Sequence, residues 1–189
     1  MVNELKLNNM KRIYLLMSIS ILLFGIIFYS CNKLFPDDNL TLNRVDYNGE
    51  DLRMDGYYYQ QKENVEFPYT LPMFLYRNGI VISCGSFSTT DLNVVEKEMP
   101  DRYDIFRKYK DGWGVFLVDG KKIEYEKWIG ASSGVKLVIK RCLGWIENDT
   151  TFHITESYNS GTSTTEQVNE IWHFKQFSPK PDSTNVYIK

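Results

Sequence analysis

Residues 135–158 read VKLVIKRCLGWIENDTTFHITESY, two runs rich in β-branched and aromatic residues on either side of Asn148-Asp149. Alternation of apolar with other residues is the period of a strand buried on one side, and Asn-Asp is turn chemistry, so the stretch predicts a β-hairpin. Along the first arm Val135, Leu137, Ile139, Arg141, Leu143 and Trp145 share one face, while Lys136, Val138, Lys140, Cys142 and Gly144 share the other. The first set is the more apolar and predicts the buried face. With Asn148-Asp149 as a two-residue turn, Trp145 faces Phe152, Leu143 faces Ile154, Arg141 faces Glu156 and Ile139 faces Tyr158. The single charge on each inner face then meets its opposite. A buried arginine demands such a partner, since stranding one charge costs about 3–5 kcal/mol.

The same reading extends in both directions. Residues 73–77 and 80–87 flank Asn78-Gly79, and residues 115–118 and 121–128 flank Asp119-Gly120. Both dipeptides suit a type I′ turn, whose two central residues need positive φ. Residues 53–59 form the first strand, and a Ser/Thr/Gly loop over 159–165 leads to the last, 168–177. An aromatic content of 15 % fits this β-rich pattern. One segment departs from it: Thr90 or Asp91 caps a helix in which Leu92, Val95 and Met99 share a face, and Pro100 restarts a second turn carrying Tyr103, Phe106 and Tyr109. The expectation is an all-β fold, an eight-stranded antiparallel meander closed into a barrel, with a helical insertion over residues 91–110 between strands three and four. The alternative is a two-sheet sandwich; tight successive hairpins favour the barrel.

Ahead of the strands, Lys6, Lys11 and Arg12 precede an apolar run over residues 13–28 that ends at Tyr29-Ser30-Cys31. A basic start, an apolar stretch short for a membrane span and a small residue before cysteine make up a secretory signal. Ile27-Phe28-Tyr29-Ser30-Cys31 resembles a lipobox, which implies cleavage before Cys31, lipid on its sulfur and residence in a bacterial cell envelope; an uncleaved anchor helix is the alternative. The expected layout is residues 1–30 signal, 31–47 tether, 48–178 barrel and 179–189 tail. Cys84 and Cys142 remain as thiols in a compartment where disulfides persist, as a bridge or as two separate buried thiols. A net charge of −2 with interspersed signs gives no footprint for nucleic acid.

The inner face of the 135–158 hairpin carries the candidate chemistry. Arg141, Glu156, Trp145, Phe152 and Tyr158 converge there, and the last strand adds Glu170 and Trp172, together with Val168 and Phe174. Aromatic walls around a few polar groups describe a site for a small, partly apolar ligand. The opposing reading is a solid core stapled by an ion pair, because eight-stranded barrels are often just filled by side chains. The molecule would then act through its surface on a protein or polymer. Only two histidines occur, and His153 falls on the outward face, so no metal set or cofactor is expected. Glu124 and Glu126 fall outward as solvated surface. No nucleophile elbow, phosphate loop or dinucleotide fingerprint is present, which argues for a non-catalytic protein.

With the lipobox, residues 52–59 (LRMDGYYY), the Arg77-Asn78-Gly79-Ile80 hairpin, Asp149-Thr150-Thr151-Phe152 and the tail from Trp172 to Pro179, the chain resembles small Bacteroidetes lipoproteins of unknown function. The strand count is also similar to that of lipocalin-like barrels. Here Gly56-Tyr57-Tyr58 stands where lipocalins carry Gly-x-Trp, and the helix falls mid-chain instead of after the barrel. The bacterial resemblance implies an outer-membrane lipoprotein, and O-glycosylation at Thr150 and Ser183, each in an Asp-Ser/Thr-x pattern.

Overall fold

The computed structural model describes residues 17, 36–131, 134 and 136–189; the signal run and Cys31 lie outside the described residues. The chain divides into two compact units, Met1–Pro36 and Asp37–Lys189, of which the second holds the strands. These are β1 (Gly56–Lys62), β2 (Tyr69–Leu75), β3 (Ile80–Ser83), β4 (Trp113–Asp119), β5 (Lys122–Gly130), β6 (Leu137–Asn148), β7 (Thr151–Asn159) and β8 (Thr164–Gln176). Each pairs antiparallel with the next, and β8 returns to β1 from Gly56↔Gln176 to Tyr59↔His173, closing the barrel. The sandwich is excluded.

The hairpins form where turn residues predict, by different geometry. Gly79 has positive φ and Asn78 does not, and Tyr76 N donates to Ile80 O at 2.9 Å. The connection is therefore a three-residue loop with glycine in the left-handed position, not a type I′ turn. At the second hairpin Asp119 pairs with Lys122, which leaves Gly120-Lys121 at the centre with positive φ only at Gly120. The third turn is displaced too. The Asn148 side chain accepts from Thr150 N at 2.9 Å, a local bond that keeps Asn148 in the strand opposite Thr151 and puts Asp149-Thr150 at the centre.

That displacement and two irregularities, at Leu143/Gly144 and Ile146/Asn148, replace the predicted register. Ile146 faces Phe152, Trp145 faces His153, Leu143 faces Glu156 and Arg141 faces Tyr158. The inner face of β6 is consequently Lys140, Cys142, Gly144 and Ile146, and the predicted inner set Ile139, Arg141, Leu143 and Trp145 points outward. The pattern misleads because much of the outer wall is also buried. A second core there joins Ile139 and Trp128 with Tyr57, Phe74, Ile82, Cys84 and Trp113.

One unbroken helix, α1 (Leu92–Phe106), covers this outer core between β3 and β4, with Asp91 as its cap, accepting from Asn93 N at 2.9 Å. The predicted break at Pro100 is absent. Val95, Met99 and Tyr103, four residues apart, are all buried, and that shared face outweighs the lost backbone donor. Tyr103 stands edge-on to Phe74 and Trp113 at 6.0 and 6.5 Å. Segments assigned to tether and tail add to the wall. Asp38 N donates to Leu137 O, Tyr47 is buried in the inner core, Tyr187 Oη donates to Lys108 O, and Lys180 Nζ donates to Met54 O at 2.5 Å and Leu75 O at 2.6 Å.

Candidate ligand site in the upper barrel

Inside, the barrel has two unlike halves. Near the turns at Asn78, Gly120 and Asp149, the lower half is solid. Tyr58, Phe116, Ile123, Ile146, Phe152 and Trp172 fill it, all buried, with Phe152 stacked on Trp172 at 5.9 Å and Tyr58 against Phe152 at 5.0 Å. Leu52 and Tyr47 plug the end, joined by a hydrogen bond from Leu52 N to Tyr47 Oη at 2.9 Å. Each such buried side chain contributes about 1.5–3 kcal/mol. This half has no room for a ligand.

The upper half is more polar, and several of its inward side chains keep part of their surface accessible. Alternation along β5 carries Ile123 and Tyr125 inward, and Lys127 follows them. Lys140 lies directly opposite Lys127 on β6. Glu170 on β8 faces inward beside Ile154, 3.7 Å from Lys140. The Lys127 ammonium donates to Ser83 Oγ at 2.7 Å. Protein surrounds Lys127 closely, yet it, Lys140, Leu71, Val168 and Glu170 all keep part of their surface accessible.

Electrostatics follow from that enclosure. Burial pushes the Lys127 ammonium below the usual lysine range, and Lys140 pushes the same way, against Cys142, Glu170 and Asp111. Burial raises the Asp111 carboxyl, the Cys142 thiol and the Tyr125 phenol. Cys142 Sγ lies 3.9 Å from Ser157 Oγ on the neighbouring strand.

Of the residues predicted to line a site, Phe152, Trp172 and Glu170 are inside. Arg141 is on the outer wall, bonded to Glu124. Trp145 is 44 % exposed, edge-on to His153 at 4.5 Å. Glu156 and Tyr158 face outward beside them, so Arg141 and Glu156 are not the predicted opposed pair. Cys84 belongs to the outer core and Cys142 to the inner, with the wall between them; both are free thiols. The Thr150 and Ser183 hydroxyls bond Asn148 and Asn78.

The sequence alone places Lys140 on the outward face and does not single out Lys127. Continuing the Ile123, Tyr125 alternation by one step finds Lys127, whereas Lys140 was hidden by the inverted face. Glu126, read as solvated, is 1 % exposed. Its carboxylate accepts from Thr41 N at 2.6 Å, Thr41 Oγ1 at 2.5 Å and Leu42 N at 2.9 Å, pinning the N-terminal segment to the wall.

Two clefts of about 440 and 390 Å³ lie at the lower end around Arg53, Arg77 and Lys180. Their cations are already engaged: Arg53 by Asp55, Arg77 by Gly49 O and the Tyr47 ring, Lys180 by two carbonyls. Among the described residues, no group of three or more His, Cys, Asp or Glu is placed to hold a metal ion, and no helix is long and apolar enough to cross a membrane. No family model, curated protein or solved structure matches the chain.

Proposed function

We propose that the protein is a non-catalytic, lipid-anchored binding protein of the bacterial cell envelope, of the outer membrane in particular, that holds a small, partly apolar ligand in the upper half of its barrel. The observation that carries this reading is the accessible, inward-pointing set Leu71, Lys127, Lys140, Val168 and Glu170 above a solid base. A closed wall with a filled floor, and above it polar and apolar inward side chains that a small molecule can reach, supports a small-molecule site in the upper chamber. To test it, the full chain is incubated with a small-molecule extract of bacterial cells and retained compounds are identified by native mass spectrometry. Retention is expected, and Val168→Trp, which fills the chamber, should abolish it. Retention undiminished in Val168→Trp puts the site elsewhere.

Anchoring rests on the residues 13–31 pattern. Cys31→Ala should release the protein from the membrane fraction and remove palmitate label, because the lipid would be the only attachment. A variant that stays membrane-bound makes the apolar run itself the anchor.

A second reading, docking of a protein or polymer on the outer wall, is favoured by the cross-strand row Trp145, His153 and Ile171, in which Trp145 and Ile171 are 44 % and 40 % exposed. If that reading is right, Trp145→Ser removes a cell-envelope phenotype while leaving small-molecule retention intact.

A further inference from the structure

We infer that the upper chamber takes an organic anion, with its acidic group seated between Lys127 and Lys140 and its apolar part toward Leu71 and Val168. The inference rests on the ligand-binding reading and adds the chemical class of the ligand.

Lys127 and Lys140 stand directly opposite each other on adjacent strands, both on the inner face. Like charges in that relation repel and destabilise the sheet unless something negative lies between them. Among the described residues, the protein places one carboxylate within ion-pair distance of the two ammoniums. Glu170 is 3.7 Å from Lys140, and among the described residues no carboxylate lies within 4 Å of Lys127. Ser83 takes one of the three donors of Lys127, and a hydroxyl brings no charge. Burial favours the neutral forms of the Cys142 thiol and the Tyr125 phenol, and Asp111, the other carboxylate whose charge reaches Lys127, lies beyond 4 Å and makes no ion pair with it. An enclosed ammonium with no carboxylate in ion-pair contact, and with part of its surface accessible, suits a carboxylate or a comparable acid as its partner. An anion beside Lys127 would oppose the lowering that burial imposes on its ammonium.

The test uses the full chain in phosphatidylcholine nanodiscs, titrated calorimetrically with 3-phenylpropionate and with its neutral match 3-phenylpropionamide. The acid should bind at least about tenfold more tightly than the amide, a difference of about 1.4 kcal/mol. Lys127→Met should bring the acid down to the level of the amide without lowering the melting temperature, and Lys127→Gln provides the same comparison should the methionine variant not fold. Lys127→Arg keeps the charge and should retain the preference. Equal binding of acid and amide, an acid affinity indifferent to Lys127→Met, or retention of only neutral compounds from the cell extract would each overturn the anion assignment and leave the binding reading standing. No retention of any compound overturns the binding reading, and the anion assignment with it.

Discussion

Glu126 and Arg141 sit opposite each other on the outer wall and carry unequal weight. Glu126 is buried with three hydrogen bonds to residues 41 and 42, and removing it strands two backbone donors under the N-terminal segment. Glu126→Ala is expected to cost about 3 kcal/mol in urea unfolding. Arg141 has a side chain 38 % exposed and leans on Glu124, so Arg141→Met should cost less than about 1 kcal/mol. A double-mutant cycle between Arg141 and Glu156 should return a coupling below about 0.5 kcal/mol, since they are not opposed; a coupling of several kcal/mol would restore the register read from the alternation. Alternation places a side chain on one side of a wall and cannot say what covers that side. The role of Glu126 depends on Thr41, 85 residues away in sequence, and no local pattern carries that contact.

At the scale of strands and hairpins, the eight extended runs, their turns and the helix were legible, because turn chemistry and the change of period are local signals. Register was not. It moved with one side-chain bond at Asn148 and with the irregularity at Leu143/Gly144, and a one-residue slip exchanges the two faces of a strand. Gly144 is central to that irregularity. A Cβ there would stand 1.9 Å from His153 O, a backbone atom with no freedom to move, so Gly144→Ala should destabilise the barrel by about 3 kcal/mol or more. Gly130→Ala meets nothing within 4 Å and should be nearly neutral. Equal midpoints for the two variants in denaturant would mean that β6 and β7 do not approach so closely. Lys140 was placed outside by the same slip, which is why half of the candidate site was missed.

The whole molecule packs two aromatic cores on the two sides of one wall, and its response to alkali follows from them. Burial raises the phenols of Tyr57, Tyr58, Tyr76, Tyr103 and Tyr125 above the usual value of 10.0, to about 12 for Tyr103. Phenols that ionise later in the fold than in the unfolded chain contribute stability that is complete below pH 10 and disappears as the pH climbs through their folded values. Lys180 acts in the opposite sense. Its ammonium, lowered to about 8 chiefly by burial, gives up its proton earlier in the fold, so its cost is relieved between about pH 8 and 10.5. The expected thermal midpoint holds or rises slightly from pH 8 to 10 and then falls steeply. Five of the 13 tyrosines should ionise only as the protein unfolds; smooth titration of all 13 in the folded state would contradict the two-core packing. The same two-sided wall separates Cys84, whose thiol is pushed up to about 12 by burial, from Cys142. Neither sulfur can react with an alkylating reagent until the structure opens around it, and each is sealed by a different layer. Cys84 is released when the helix lifts, and Cys142 when the strands part. The two labelling rates, followed by mass spectrometry on a single sample, therefore clock the opening of the coat and of the chamber separately.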